Sequence, residues 1–168
     1  MIKILALIEA ILTVTAFRLL DREDGMLMIW NNASDEQRYE MPDYYKAVAL
    51  DMDIEEYRFF ARVVEAESDR TDSIDGRILI ASVIINRVND ERFPNTISGV
   101  LTQDGQFEVV QSGMCNVSAT NLSEWAIVEA YRQLDEGLVP DNLLYFNCVG
   151  YNCGTAYGCV DGNYFMCA

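Results

Sequence analysis

Residues Ala61–Phe107 read ARVVEAESDRTDSIDGRILIASVIINRVNDERFPNTISGVLTQDGQF, and the fold turns on how this stretch is parsed. Its first part closes a helix predicted from about Ile54 to Glu67, with Asp53 as N-cap and Glu56 placed for a capping box. At about 100° per residue, Tyr57, Phe60, Val64 and Glu67 fall on one face, with Val63 beside them. Glu65 falls on the opposite side with Arg58 and Arg62 and is expected to be solvated. One acid therefore ends an apolar stripe, while an acid two positions away does not. After a polar loop over Ser68–Asp75, the run from Gly76 to Val88 is apolar almost throughout. It is long for a strand and reads as a buried helix despite its β-branched residues. Asn89–Asn95 is a turn punctuated by Pro94.

Working outward, Thr96–Leu101 reads as a short helix or strand, and Thr102–Val110 as a loop carrying Gly105-Gln106-Phe107. Another helix covers Leu122–Glu136, stopped by Gly137 with Pro140 beyond. Leu143–Asn147 and Tyr164–Met166 read as strands that pair across a cysteine-bearing loop. Helices followed by short strands give an α+β fold, mainly helical with a small sheet. Toward the N-terminus, Leu20–Asp43 is polar apart from Met26–Trp30 and reads as a linker or loosely packed arm. Met1–Phe17 holds one lysine and then an apolar run interrupted by Glu9. It fits a secretory signal or anchor, or else an amphipathic or buried helix. The expected organisation is an N-terminal segment and arm over residues 1–43 and one domain over 44–168.

The chain of 168 residues has no histidine. Ser-His-Asp and Cys-His sites lack their base, and most catalytic zinc sites lack a ligand. Carboxylates are plentiful, with Asp+Glu 27 against Lys+Arg 12 and a formal net charge of −15. That balance argues against nucleic acid and against an anionic lipid surface, beyond an N-terminal anchor, but not against a neutral glycan. Glycosidic bond cleavage is a chemistry that carboxyl groups run alone or in pairs. Of the five cysteines, Cys148, Cys153, Cys159 and Cys167 crowd the tail while Cys115 stands apart. Disulfides are the leading expectation, against buried thiols or a four-thiolate metal site, and sequence does not choose the pairing.

An ordered set of short pieces resembles the SleB-type cell-wall hydrolase family, which includes the spore-cortex-lytic enzymes. The pieces are Ala61–Val64, Ala66-Glu67, Asp75-Gly76, Val83–Val88, Phe93–Ile97, Gly99-Val100 and Gly105–Phe107. Trp125, Gly137, Pro140 and Tyr145–Asn147 continue the pattern. The resemblance implies a compact lysozyme-like or lytic-transglycosylase-like domain that cleaves peptidoglycan glycan strands as a monomer, without metal or other cofactor. It implies secretion, envelope association or a phage origin. It also makes Glu67, the glutamate of the Ala-Glu motif, the catalytic acid. Asn86, Gln106, Phe107, Tyr145 and Asn147 are the candidate substrate contacts, and Asp75 and Glu108 the candidates for a second carboxylate. The sequence departs from the family after the acid, at Ser68–Thr71, at Glu108, where serine is usual, and after Gly162, where many members carry a histidine and this chain has Asn163. Two other readings compete. One is a catalytically silent wall-binding or phage structural protein with the same fold; the other is a thiol-dependent redox or metal protein.

Overall fold

The computed structural model describes residues 22–68 and 73–168. The apolar segment Met1–Phe17, read as a signal, anchor or helix, lies outside the described residues. The chain groups into two compact units that divide between Asp53 and Ile54. Among the described residues, no helix is long and apolar enough to cross a membrane.

The first unit corrects the reading of a loose polar arm, because the segment is helical: α1 (Arg22–Asn31), α2 (Asp35–Glu40) and α3 (Asp43–Ala49). Beside the buried Met26, Trp30 and Ala47, its order draws on polar local chemistry, which hydrophobic periodicity does not register. Ser34 and Gln37 form a reciprocal capping box at the start of α2. Arg38 donates from Nε to the Trp30 carbonyl at 3.0 Å and lies over the Trp30 ring.

The second unit contains α4 (Ile54–Glu67), α5 (Ile74–Asn89), α6 (Ile97–Leu101), α7 (Glu108–Gln111) and α8 (Asn121–Asp135), followed by β1 (Leu143–Asn147), β2 (Thr155–Val160) and β3 (Asn163–Cys167). Helix α5 is the expected buried helix. Every residue from Gly76 to Arg87 is buried, and α4, α6, α8 and β1 pack around it. A helix apolar on all sides is stable only when so surrounded. Truncating a wholly buried position such as Ile80 or Ile84 to alanine costs about 2–5 kcal/mol in comparable cores. Helices α4 and α8 are further tied by the Tyr57 hydroxyl, which donates to the Glu124 carbonyl at 2.8 Å. Glu56 accepts from the Ser98 backbone N at 2.9 Å and so helps to start α6.

The sheet is antiparallel in the order β1-β3-β2. The two predicted strands are present and paired, with Phe146 opposite Phe165. The third, β2, is an edge strand that the sequence reading passed over as cysteine loop. Thr155–Val160 contains a glycine and is exposed over most of its length, so it carries no alternating pattern. A two-residue turn, Asp161-Gly162, joins it to β3, with both residues at positive φ (52° and 81°).

Candidate active site

Tyr57, Phe60, Val63 and Val64 of α4 are wholly buried. The stripe they form fixes the rotation of the helix, so that Glu67 in its last turn lines a groove of about 690 Å³. Helix α5 contributes Gly76, Ile80 and Arg87, the stretch entering α7 contributes Gln106 and Glu108, and the sheet contributes Tyr145 and the Asp161 turn. Glu67 is half-buried. Desolvation first, and the negative charge of Glu108 second, push its carboxyl up to about 7. It forms no ion pair among the described residues. Among the described residues, Arg62 lies over Phe59 and Arg87 over Phe93 and Phe107.

Glu65 is a correction. Expected in solvent, it is half-buried and accepts from Thr120 N (3.1 Å), Thr120 Oγ1 (2.6 Å) and Ser123 Oγ (2.7 Å), with Arg77 Nη2 at 3.5 Å. Burial acts to raise its pKa, but the bonds from Thr120 and Ser123, helped by Arg77, hold it below the ordinary value. The wheel put Glu65 off the apolar stripe correctly. It missed that α8 begins on that side, with orphan N-terminal donors that an acid satisfies. Two acids two residues apart are thus driven in opposite directions.

The other predicted site residues divide. Gln106 is exposed and lines the groove. Phe107 is 1% exposed and packs near Phe146, so it anchors its loop rather than offering a free face to a ligand. Asn86 is also turned away from the groove. Its Nδ2 donates to the Pro140 and Leu143 carbonyls at 2.9 and 3.1 Å, which pins the start of β1 to α5. Tyr145 is half-buried and lines the groove. Asn147 lines it too, but its amide is engaged: Oδ1 accepts from Val149 N and Gly150 N, and Nδ2 donates to Asn152 Oδ1. Of the two candidate second carboxylates, Glu108 lines the groove, whereas Asp75 is exposed and is not part of its lining.

Two charged groove residues escaped the sequence reading. Asp161 is presented by the β2–β3 turn, so close to Gly76 that a Cβ there would come within 2.4 Å of its Oδ2. The dipeptide Asp-Gly, a strong hairpin signal, could have found it. Arg87 was visible only as part of a motif, because nothing in a local pattern tells which face of a fully buried helix meets a cavity.

The expected disulfides are absent: all five cysteines are free thiols. Cys159 stands opposite Tyr164 and Cys167 opposite Thr155. The two are therefore four residues apart along the hairpin, about 13 Å, beyond the ~7 Å that a disulfide spans between Cα atoms. Cys115 is buried elsewhere, while Cys148 and Cys153 line the groove. No cluster of three or more His, Cys, Asp or Glu side chains able to hold a metal ion occurs among the described residues.

Known proteins similar to this chain fall in one group. The family described as Cell Wall Hydrolase matches residues 71–152, a stretch that begins just after Glu67. The spore cortex-lytic enzyme of Bacillus subtilis (strain 168) is 31% identical over 90 residues, covering 54% of this chain and 28% of that protein. A spore cortex-lytic enzyme of Bacillus cereus is 32% identical over 90 residues, covering 54% of this chain and 34% of that protein. The chain thus matches about a third of the length of these curated relatives. Among solved structures, the catalytic domain of the germination-specific lytic transglycosylase SleB from Bacillus anthracis superposes with a TM-score of 0.55 at 25% identity, covering 66% of this chain and 93% of that one. The catalytic domain of the Bacillus cereus SleB protein gives 0.56 at 25% identity, covering 66% and 88%.

Proposed function

This chain belongs to the SleB-type cell-wall hydrolase family, and from that premise we propose that it cleaves the glycan strand of peptidoglycan between N-acetylmuramic acid and N-acetylglucosamine, with Glu67 as the proton donor. The observation that carries this reading is a half-buried carboxyl in a groove, without an ion pair among the described residues and with a pKa pushed to about 7. An ordinary glutamate is almost wholly ionised at neutral pH, whereas this one keeps a large protonated fraction there.

The chemistry needs one group in two states. Protonated Glu67 gives its proton to the bridging oxygen, and the bond from that oxygen to C1 of the muramic sugar breaks. The cation developing at C1 is captured by the sugar's own C6 hydroxyl. The Glu67 carboxylate then takes the hydroxyl proton, so the acid is regenerated and a 1,6-anhydro end is left. No water is consumed and no second carboxylate is required. Hydrolysis would need a base to activate water, and Glu108 is the groove carboxylate for that role. Gln106 and Tyr145 are the candidate glycan contacts that the groove retains. The site of action is the cell wall or envelope.

Mass spectrometry of digested purified peptidoglycan tests the reading. Anhydro-muropeptides are expected; reducing-end products would instead identify a hydrolase. The absence of any product at every pH would favour the silent wall-binding protein.

The pH profile is a second check. Because the donor must be protonated, kcat/KM is expected to fall about tenfold per pH unit above a pKa of about 7. Replacing Glu108 with glutamine removes a neighbouring negative charge, so the Glu67 pKa drops and the alkaline limb moves to lower pH. A limb that stays in place would show that Glu108 does not act on the donor.

A further inference from the structure

We propose that Cys153 is a modification site, at which the sulfur beside Arg87 forms a mixed disulfide with a small cationic disulfide, and that the adduct closes the groove to glycan. The blockage of cleavage rests on the reading above; the reactivity of the thiol does not.

Cys153 is exposed and is one of two thiols in the groove lining. Asn147 holds its loop in place: Oδ1 accepts from Val149 N and Gly150 N, and Nδ2 donates to Asn152 Oδ1 at 2.9 Å. The thiol itself is turned inward and donates to Sδ of the wholly buried Met166 at 3.8 Å. Arg87, 4% exposed in the last turn of α5, lines the same groove and lies within electrostatic reach of this sulfur.

The guanidinium is incompletely satisfied. Its Nε donates to the Leu144 carbonyl at 2.8 Å, while Nη1 is buried with no acceptor among the described residues. The Phe93 and Phe107 rings attract a cation but do not replace a missing acceptor. Burial works against the charge of Arg87 and lowers its pKa, and Tyr145 and Cys153 are the groups that work the other way. Arg77, buried in the same helix, donates by contrast to Ser123 Oγ, the Ser73 carbonyl and Glu65 Oε1. A buried, incompletely paired cation favours an anion beside it, and the thiolate is the form of cysteine that attacks a disulfide. Cys148 shares the groove, and Cys159 lies on β2 outside its lining, but neither contributes to the charge balance of Arg87.

In the reaction, the Cys153 sulfur attacks one sulfur of the reagent. A new S–S bond forms, the old one breaks, and the other half leaves as a thiolate that takes a proton from water. Glu67, Glu108 and Asp161 line the groove, so a cationic disulfide is drawn in and an anionic one is held off. The bound half then places an ammonium among these carboxylates, where the glycan would lie.

The test treats the full chain with excess cystamine at neutral pH. Mass mapping of peptides without reductant is expected to find the adduct on Cys153 forming about tenfold faster than on Cys159, which is also exposed. Oxidised glutathione, an anion, should react more slowly at Cys153 than cystamine. Muropeptide release is expected to fall in step with the Cys153 adduct and to return with dithiothreitol. Cys153→Ser should release muropeptides as the wild type does and resist cystamine, whereas Cys159→Ser stays sensitive. Arg87→Lys is expected to preserve the rate ratio and Arg87→Met to abolish it; should Arg87→Met not fold, the wild-type ratio and Cys153→Ser decide. A Cys153 rate no greater than that of Cys159, a preference for oxidised glutathione, an adduct that leaves release unchanged, or inhibition that persists in Cys153→Ser overturns the proposal. If the untreated protein releases no muropeptide, the cleavage reading falls, and the rate ratio alone decides for or against Cys153 as the modification site.

Discussion

Glu67→Gln is expected to lower the rate of muropeptide release by roughly 10²–10⁴-fold while leaving the fold intact. Glutamine has the shape and neutrality of the protonated acid but has no proton to give to the bridging oxygen. The loss should appear in kcat at every pH, since no ionisation restores a donor. The same substitution makes a prediction about stability with the opposite sign. In the wild type, the folded-state pKa of about 7 lies above the ordinary glutamate value of 4.5. The unfolded chain therefore releases the proton first, and stability falls as pH rises through that window, reaching its lower level above about 7. Glu67→Gln has nothing to release, so its Tm should exceed that of the wild type above pH 7. Circular dichroism melts alongside digestion assays read both effects. A variant that retains more than a tenth of wild-type activity would remove Glu67 from the chemistry.

Glu65→Ala is expected to destabilise the second unit by about 3 kcal/mol, because it leaves a buried arginine and several polar donors without their shared acceptor. Arg77 would lose the Glu65 carboxylate while keeping Ser123 and the Ser73 carbonyl, and the start of α8 would lose the acceptor for Thr120 N. The contribution of Glu65 should be present above the ordinary carboxylate pKa and disappear as pH falls through its depressed folded value. Urea melts at neutral and acidic pH measure it. A change below about 0.5 kcal/mol at neutral pH would mean that the cluster is merely a solvated surface contact.

These two acids show how far the sequence could be read. Helical spacing with a buried aromatic stripe sufficed to aim Glu67, since one helix and its own pattern decide that question. Glu65 depended on a partner about 55 residues away in sequence, and no periodicity within α4 encodes where α8 starts. The same division explains Asn86 and Phe107. Both lie in recognisable motifs, yet the structure spends them on anchoring β1 and a loop, because a motif marks a place in the chain and not a direction in space. The long run Ile78–Ile85 was legible as a buried helix by its length. Strand β2 was not legible, since an exposed edge strand needs no apolar face. The thiols misled for a related reason: proximity in sequence suggested bridges, whereas the hairpin register keeps Cys159 and Cys167 apart.

The two influences on Glu67 differ in how they cross space. Its loss of hydration is local and indifferent to dissolved ions. The push from exposed Glu108 passes partly through solvent, where counter-ions shield it. Brine should therefore trim only the second contribution, and the protein should meet its alkaline ceiling at a slightly lower pH in concentrated salt than in fresh water.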